Sequence, residues 1–305
     1  MTEFRQVPDG DDIFLDHIAH WVPDMDAAAA AMQDLGFTLT PYTEHTNSTE
    51  PGAPIVPAGS ANRCIMLREG YLEVLTPTAD TAIGQELRAG IDRYTGVHLG
   101  AFGCADAPAQ RERLIAEGFD QRPVVDLRRE TDTEDGATGT LQFTVIRPVP
   151  GAMAEGRIQF LSHLTPDLLW QERWMNHANA AERLTDLFIC IEDPDEAAAR
   201  YERYLGRQPR RIENGWLIPC ERGGVALLSS KGFETHISGV EIPTLPYIAG
   251  YVIQCADLAS CTDHLRRTGI VYRELTPNMV AVVTPPTLGG VLLFTDQPDA
   301  APWRS

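Results

Sequence analysis

Lysine is almost absent from this sequence, which has 305 residues. Lys231 is the only lysine, and the other basic residues are arginines. Catalysis through a Schiff base on a lysine amine is therefore not expected. Acidic residues outnumber basic ones, 43 to 25, which gives a formal net charge of -18. This excess of negative charge would repel nucleic acids and anionic membrane surfaces, so we expect neither as a partner.

Several other features are also missing. The six cysteines are scattered without a Cys-x-x-Cys pair, and no signal-like apolar stretch precedes the first structured segment. No run approaches the roughly 18 apolar residues of a membrane span. We therefore expect a cytoplasmic protein with reduced thiols. The sequence also lacks a Gly-x-Ser-x-Gly motif, a phosphate-binding Gly-rich loop before a lysine and a dinucleotide-binding Gly-x-Gly-x-x-Gly motif.

What the sequence does contain is a unit that occurs four times. Each copy has a short apolar run that ends in Asp, then a helical segment, then a Gly that follows the Asp by 12 or 13 residues. This spacing is typical of a helix of about three turns that begins at a capping Asp and stops at a Gly. The four pairs are Asp24/Gly36, Asp106/Gly118, Asp193/Gly206 and Asp257/Gly269.

A second signature closes each copy. It is a glycine followed by an apolar run, as in Gly70-Tyr-Leu-Glu-Val-Leu, and it predicts the last strand of the unit. Each copy therefore consists of a strand, a helix and about three further strands. Such a unit cannot bury its own hydrophobic face, so it pairs with another copy. The other three runs begin at Gly156, Gly223 and Gly289.

This pattern resembles the vicinal oxygen chelate superfamily, the glyoxalase and bleomycin-resistance fold, whose unit is βαβββ. The resemblance implies an α+β fold in which four modules pair into two open β-barrel cups. It implies an N-terminal domain over 12–165, a Trp-containing connector over 166–181 and a C-terminal domain over 182–298. The residues that carry the resemblance are Leu15-Asp16-His17-Ile18, Val22-Pro23-Asp24-Met25-Asp26-Ala27-Ala28, Leu35-Gly36-Phe37 and Gly70-Tyr71-Leu72-Glu73-Val74-Leu75.

The resemblance also implies a divalent metal at the centre of a cup, with ligands from the first and last strands of each module. In copy one these positions are His17 and Glu73, a sensible ligand pair for Zn, Ni, Co, Mn or Fe. In copy two the first position falls on Leu99, and His98 lies one residue earlier. His98 needs a β-bulge to reach the metal, because a one-residue slip turns a strand side chain to the other face. The last position is Gln159, a weaker ligand.

Other residues near these positions are candidate ligands or substrate contacts. His163 lies four residues after Gln159, so it either completes the metal site or orients the substrate. His45, Asn62 and Arg63 occupy a region where the resemblance places substrate contacts. In copies three and four the ligand positions are Asp186, Ala226, Gly250 and Leu292, and only Asp186 is a metal-binding residue type. The C-terminal domain is therefore expected to hold no metal.

Three connecting segments also have informative compositions. The polar stretch from Pro41 to Ser60 is long enough to be a lid or a binding loop. The acidic segment from Arg128 to Gly139 predicts a mobile loop. The spacing of Trp170 and Trp174 predicts a short helix that clasps the two domains.

The resemblance implies a metal-dependent isomerase or lyase of the glyoxalase type that acts on a small molecule with neighbouring oxygens. The metal would act as a Lewis acid and Glu73 as the base. Two alternatives stay open: a non-haem Fe(II) dioxygenase that uses the same site, and a non-catalytic ligand-binding protein of the bleomycin-resistance type. A homodimer is possible in each case. A highly anionic substrate would need local arginines such as Arg63 or Arg147.

Overall fold

The chain folds as four consecutive βαβββ modules. The computed structural model describes residues 4–47, 56–297 and 299–304. The first two modules form one eight-stranded sheet, and a short helix links them. The elements of this half are β1 (Phe14–Trp21), α1 (Met25–Asp34), β2 (Thr43–Asn47), β3 (Val56–Met66), β4 (Tyr71–Pro77), α2 (Ala82–Arg93), β5 (Gly96–Gly103), α3 (Ala107–Ala116), β6 (Val125–Asp132), β7 (Thr138–Ile146) and β8 (Arg157–His163).

The last two modules repeat the plan in a second eight-stranded sheet. This confirms the predicted α+β fold with two cups. A connector joins the halves through α4 (Pro166–Leu169) and a 3-10 turn (Glu172–Trp174). The elements of the second half are β9 (Ala181–Cys190), α5 (Pro194–Leu205), β10 (Arg210–Ile212), β11 (Gly215–Pro219), β12 (Gly224–Leu228), α6 (Ser230–His236), β13 (Tyr247–Cys255), α7 (Leu258–Thr268), β14 (Arg273–Thr276), β15 (Met279–Val283) and β16 (Val291–Thr295).

Both sheets have the same strand order. The first runs β2-β3-β4-β1-β5-β8-β7-β6, and the second runs β10-β11-β12-β9-β13-β16-β15-β14. Within each module the first strand pairs in parallel with the last. The two modules of a sheet join through an antiparallel pair, β1 with β5 or β9 with β13. The first and last strands of all modules therefore lie at the centre of each cup, where the sequence analysis placed the candidate ligands.

The helix boundaries agree with the predicted caps. Each of the four Asp side chains accepts a hydrogen bond from a backbone N–H in the first turn of its helix. Gly206 and Gly269 end α5 and α7 with φ of 66° and 75°. A residue with a Cβ is strained in this left-handed conformation, so glycine is the residue that stops these helices cleanly.

The convex faces of the two sheets share one hydrophobic core. It contains Leu15 and Ile18 of β1 together with Leu187 and Ile189 of β9. His20 of β1 crosses this boundary, since its ring nitrogens contact the Leu288 carbonyl at 2.9 Å and the Tyr251 hydroxyl at 3.0 Å. The two concave faces therefore point away from each other and form separate cups.

The C-terminal cup is filled by the protein's own side chains. Trp303 is 1% exposed and packs in a cluster with Phe188 and Phe233. Its indole N–H donates to Asp186 at 3.0 Å, and Arg304 forms two further bonds to the same carboxylate at 2.7 and 2.6 Å. Asp186 pairs with Gly224 as His17 pairs with Tyr71 in the first sheet. Asp186 thus occupies the position that corresponds to His17, and Trp303 and Arg304 cover it from the concave side.

Two interpretations of connecting segments were wrong. The segment from Arg128 to Gly139 is not an irregular loop, because it forms the outer end of the β6–β7 hairpin, with the end of β6, the turn and the start of β7. The connector does not form one helix with a tryptophan stripe, and Trp170 packs on Met66, Tyr71 and Met175 beside the N-terminal cup. Much of Pro41–Ser60 lies in β2 and β3, and residues 48–55 are outside the described part.

The remaining structural expectations concern the thiols and the membrane. All six cysteines are free. Within the described residues, no helix is both long enough and apolar enough to cross a membrane.

Candidate functional site

The concave face of the first sheet encloses a cavity of about 830 Å³. Strands β1, β4, β5 and β8 form its floor, and the β6–β7 hairpin and the connector contribute walls. One part of the floor is apolar, with Leu75, Leu99 and Leu161. The other part carries His17 and Glu73, so an apolar surface and a polar centre share one cavity.

His17 and Glu73 come together because β1 and β4 are parallel neighbours. Ala19 pairs with Glu73 and His17 pairs with Tyr71. Since alternate side chains point to the same face of a strand, both functional groups reach the cavity. They are 4% and 8% exposed.

The Glu73 carboxylate is held ionised by its surroundings. Burial alone would raise its pKa, but electrostatic interactions with the neighbouring His17, His45 and Arg129 side chains and the hydrogen bond from Asn62 outweigh burial and lower the pKa. The Asn62 amide donates to Glu73 at 2.6 Å. A buried, ionised carboxylate beside an imidazole is a suitable general base or cation ligand.

A residue that the sequence analysis did not select, Asp16, orients His17. The pairing of β1 with β5 shifts register between Leu15 and His17, so Asp16 lies in an irregularity of the strand. There it accepts a hydrogen bond from His17 Nδ1 at 2.7 Å and one from His163 Nε2 at 2.8 Å. Because an ionised carboxylate is only an acceptor, Nδ1 of His17 carries a proton. Nε2 is then the ring nitrogen available to a ligand.

The Asp16 carboxylate is fully buried and stays ionised. Burial would raise its pKa, but the charges and hydrogen bonds of His163 and His17 hold the pKa well below its usual range. His163 therefore acts on the site through Asp16 and does not line the cavity itself. Its aromatic neighbours Trp170 and Phe143 lie 4.8 and 5.3 Å from its ring.

Of the three predicted substrate contacts, two line the cavity. His45 in β2 contacts the Ser60 hydroxyl through Nδ1 at 2.9 Å, and its buried Nε2 has no hydrogen-bond partner within the described part of the chain. Burial lowers the pKa of His45 to about 4. Asn62 lies beside Glu73. Arg63 does not reach the cavity, because it points to the opposite face of β3 and donates to the Thr40 carbonyl at 3.3 Å.

Arginines bring positive charge to this cavity. Arg129 comes from β6, and Arg147 from the end of β7, where its Nε donates to Gln159 Oε1 at 2.9 Å. Neither forms an ion pair with a carboxylate among the residues described here. Arg157 differs, since it pairs with Glu86 at 2.9 Å. Two unpaired guanidinium groups near a base are a suitable site for the anionic oxygens of a small molecule.

His98 does not join His17 and Glu73. A register shift does occur beside it, where Ala19 pairs with Leu99 and His20 pairs with Val97. The irregularity leaves Leu99 in the cavity and turns His98 away. His98 stacks on Tyr94 and Trp21 with ring centroids 4.0 and 5.0 Å apart, and its Nε2 donates to the Tyr94 carbonyl at 2.7 Å.

Comparison with known proteins identifies the family. The model of the Glyoxalase-like domain matches residues 15–205, which is more than half of the chain. The protein belongs to the glyoxalase-like domain family. The match spans both modules of the first cup and extends through α5. A comparison with curated proteins finds no match.

Solved structures with the same fold support this membership at the level of architecture. A hypothetical protein from Staphylococcus aureus aligns with a TM-score of 0.62 and 10% identity, over 92% of this chain and 98% of that chain. A variant of 4-hydroxymandelate synthase from Streptomyces coelicolor gives 0.52 and 14%, over 93% of each chain. The Mn(II)-bound glyoxalase from Novosphingobium aromaticivorans gives 0.50 and 15%, over 93% of this chain and 81% of that chain.

The cavity of this glyoxalase-like protein offers few free ligands for a divalent metal. A catalytic metal site usually has three protein ligands. His17 and Glu73 supply two, Leu99 supplies none, and the Gln159 oxygen already accepts a bond from Arg147. Within residues 4–47, 56–297 and 299–304, no cluster of three His, Cys, Asp or Glu side chains is arranged to hold a metal. The described residues thus do not complete a ligand set.

Proposed function

We propose that this glyoxalase-like protein is an enzyme that transfers a proton on a small organic anion bound in the N-terminal cup. The observation that supports it best is the ionised Glu73 carboxylate beside an oriented His17 on the floor of the cavity. Arg129 and Arg147 account for the preference for an anion. The apolar floor around Leu99 would hold the hydrocarbon part of the substrate.

In the proposed reaction the substrate has a carbonyl next to a carbon that bears both a hydrogen and a hydroxyl group. Glu73 takes the proton from that carbon, and the electron pair of the C–H bond moves onto the carbonyl oxygen to give an enolate. Arg129 stabilises the negative charge on the enolate oxygen, and Arg147 binds the anionic group of the substrate. Glu73 then returns the proton to the former carbonyl carbon. His17 Nε2 accepts the proton of the hydroxyl group and donates it to the former carbonyl oxygen, so that the hydroxyl oxygen becomes the new carbonyl. The result is an isomerisation with no net change of oxidation state.

Hydrogen exchange with D₂O tests this function without knowledge of the natural substrate. A panel of 2-oxo acids and 2-hydroxy aldehydes is incubated with the protein in D₂O, and deuterium incorporation is followed by NMR. We expect exchange with at least one compound class and a loss of roughly 10²–10⁴-fold in Glu73→Gln. Glu112→Gln, on the exposed face of α3, is the matched control.

Two results of this experiment would contradict the proposal. One is exchange that survives Glu73→Gln at the rate of the control variant. The other is tight binding of these anions with no exchange in the unaltered protein. The second result is the behaviour expected of a non-catalytic ligand-binding protein.

A metal-dependent enzyme is the second candidate function. His17 and Glu73 would be the protein ligands for Zn, Ni, Co, Mn or Fe, and a bound ion would supply a Lewis acid. The contact of His17 Nδ1 with Asp16 favours it, since metal-binding histidines usually donate their other nitrogen to a carboxylate. The relative from Novosphingobium is described as Mn(II)-bound. The incomplete ligand set described above argues against a resident ion.

Elemental analysis of untagged protein separates the two candidates. About one equivalent of Zn, Ni, Co or Mn, lost in His17→Ala, would support a metal-dependent isomerase or lyase. About one equivalent of Fe with oxygen consumption would support a non-haem dioxygenase. Absence of metal after reconstitution, together with Glu73-dependent exchange, would support proton transfer by the side chains alone.

A further inference from the structure

A second cavity of about 720 Å³ lies beside the first. Helix α2 forms one wall, and the segment between β7 and β8 forms the other. Most of the residues that line it are apolar, and they include Trp21, Ile83, Ala89, Val149 and Met153. A cavity of this size and composition accommodates a substantial hydrocarbon group.

The two cavities share part of their walls. Ile83, Arg147 and Arg157 line both of them. Arg157 is held in place by its ion pair with Glu86 at 2.9 Å and by the Trp21 ring, 5.1 Å from its guanidinium carbon. Arg147 has only the neutral Gln159 amide oxygen as a hydrogen-bond partner in the described structure. The boundary between the cavities is therefore positively charged and has one arginine free to bind an anion.

The charges around Arg147 favour an anionic ligand. Burial lowers the pKa of Arg147 to about 10, with a further contribution from the charge of Arg157. A guanidinium in such a place gains from a bound carboxylate or phosphate more than an exposed one does. Arg93 and Arg122 also line the second cavity, and Glu86 is its one acidic residue among those described.

We propose that the substrate is an amphiphilic acid that spans both cavities. This inference rests on the proposed function and specifies its substrate class. The reacting end lies at His17 and Glu73, the acidic group binds Arg147 at the boundary, and a hydrocarbon arm of several carbons fills the second cavity. Ala89 lines the second cavity and is exposed on α2. A larger side chain at this position would therefore occupy the space of the hydrocarbon arm without disturbing the core.

A series of straight-chain carboxylates tests the proposal. Binding of butanoate, hexanoate, octanoate and decanoate is measured by isothermal titration calorimetry. Each methylene group that becomes buried is expected to tighten binding about fourfold, from the transfer free energy of a CH₂ group. Ala89→Trp should abolish the dependence on chain length and leave butanoate binding unchanged. Arg147→Gln should weaken every member of the series.

The controls distinguish failure of this inference from failure of the proposed function. Ala109→Trp makes the same substitution on exposed α3, away from both cavities, and should behave as the unaltered protein. Ala154→Trp fills the second cavity from its opposite wall and should repeat the effect of Ala89→Trp. Butanoate binding with no chain-length dependence, or a dependence unchanged in both cavity-filling variants, would overturn the amphiphilic substrate only. No binding of any carboxylate would overturn the anion site itself.

Discussion

Asp16 is a fully buried carboxylate that accepts hydrogen bonds from two imidazoles, His17 at 2.7 Å and His163 at 2.8 Å. Such a group is costly to bury unless its hydrogen bonds are complete. In return it determines which nitrogen of His17 carries the proton and holds the ring stacked on Tyr71, with centroids 4.2 Å apart. Asp16 is thus a positioning residue for the proposed chemistry.

Asp16→Asn should reduce turnover about 10- to 100-fold, as loss of a carboxylate behind a functional histidine commonly does. The neutral Asn oxygen is a weaker acceptor than the carboxylate, so the His17 tautomer with its proton on Nδ1 should be less populated, which the ¹⁵N chemical shifts of the imidazole measure directly. Asp120→Asn, an exposed substitution of the same type, is the control. Unchanged ¹⁵N chemical shifts of His17 in a folded Asp16→Asn protein would show that Asp16 has no role in positioning.

His98 is a second single residue with a testable effect, because its burial makes the free energy of unfolding depend on pH. Burial lowers its pKa from 6.5 to about 4. Between these values the unfolded chain binds a proton and the folded protein does not, so the free energy of unfolding decreases as pH falls through this window. The expected contribution is about 1.4 kcal/mol per pH unit. In His98→Gln, which retains a donor for the Tyr94 carbonyl, urea unfolding should show a slope smaller by about this amount.

The comparison above pH 7 is the internal control for His98. Above pH 7 the histidine is neutral in the folded protein and in the unfolded chain. The unfolding free energies of His98→Gln and the unaltered protein should therefore vary with pH in parallel. Equal slopes between pH 6.5 and 4 would contradict the assignment of His98 as a buried neutral histidine.

The sequence predicts site residues well where the strands are regular and poorly where their register shifts. The resemblance indicated the positions of His17 and Glu73, and the regular parallel pairing of β1 with β4 places both side chains on one face. Asp16 was missed because alternation puts it opposite His17, and the register shift that reverses this leaves no sign in the sequence. The irregularity at His98 was anticipated, but its direction follows from stacking on Tyr94 and Trp21.

At the scale of the element, the β6–β7 hairpin is the least predictable part of the cup. The residues of β6 alternate between exposed and half-buried, and most of them are polar. One face of the strand meets solvent and the other meets a polar cavity, so apolar alternation, the usual strand signal, is absent. The Asp caps and terminating glycines of the helices, by contrast, are local signals, and all four were predicted.

This hairpin carries Arg129 toward Glu73, so Arg129→Gln tests its function. Loss of the positive charge should raise the pKa of Glu73 and weaken binding of anions about 10-fold, since a charged hydrogen bond contributes on the order of 1.5 kcal/mol. Calorimetry with butanoate measures the affinity. Arg267→Gln, which removes the same charge from α7, should have no effect. Equal affinities in the two variants would exclude Arg129 from the anion site.

At the scale of the whole molecule, two cups of the same design have different contents. The N-terminal cup contains a cavity, and the C-terminal cup contains Trp303 on the carboxylate that corresponds to His17. The loss of ligand residues at Ala226, Gly250 and Leu292 was visible in the sequence. That a distant Trp fills the space was not, because no local pattern links residue 303 to Asp186, which is 117 residues away. We infer that the second cup serves stability.

Trp303→Ala should therefore lower the free energy of unfolding by about 3–5 kcal/mol, because it removes a large buried side chain and leaves a cavity. Trp303→Phe retains most of the volume and loses only the indole N–H bond to Asp186, so it should cost clearly less. Urea unfolding measures both values. Because the space left by Trp303→Ala has the shape of an indole, added indole should bind there and restore part of the lost thermal stability.

Anion binding by the N-terminal cup should be unchanged in Trp303→Ala at temperatures where the protein stays folded, since the two concave faces point away from each other. A loss below about 1 kcal/mol would contradict a stabilising role for Trp303, as would a thermal shift with indole equal in the variant and the unaltered protein. Weaker butanoate binding in the folded variant would instead mean that the shared core couples the two cups. Butanoate binding in Trp303→Ala thus shows whether the C-terminal cup only stabilises the protein or also influences the N-terminal cup.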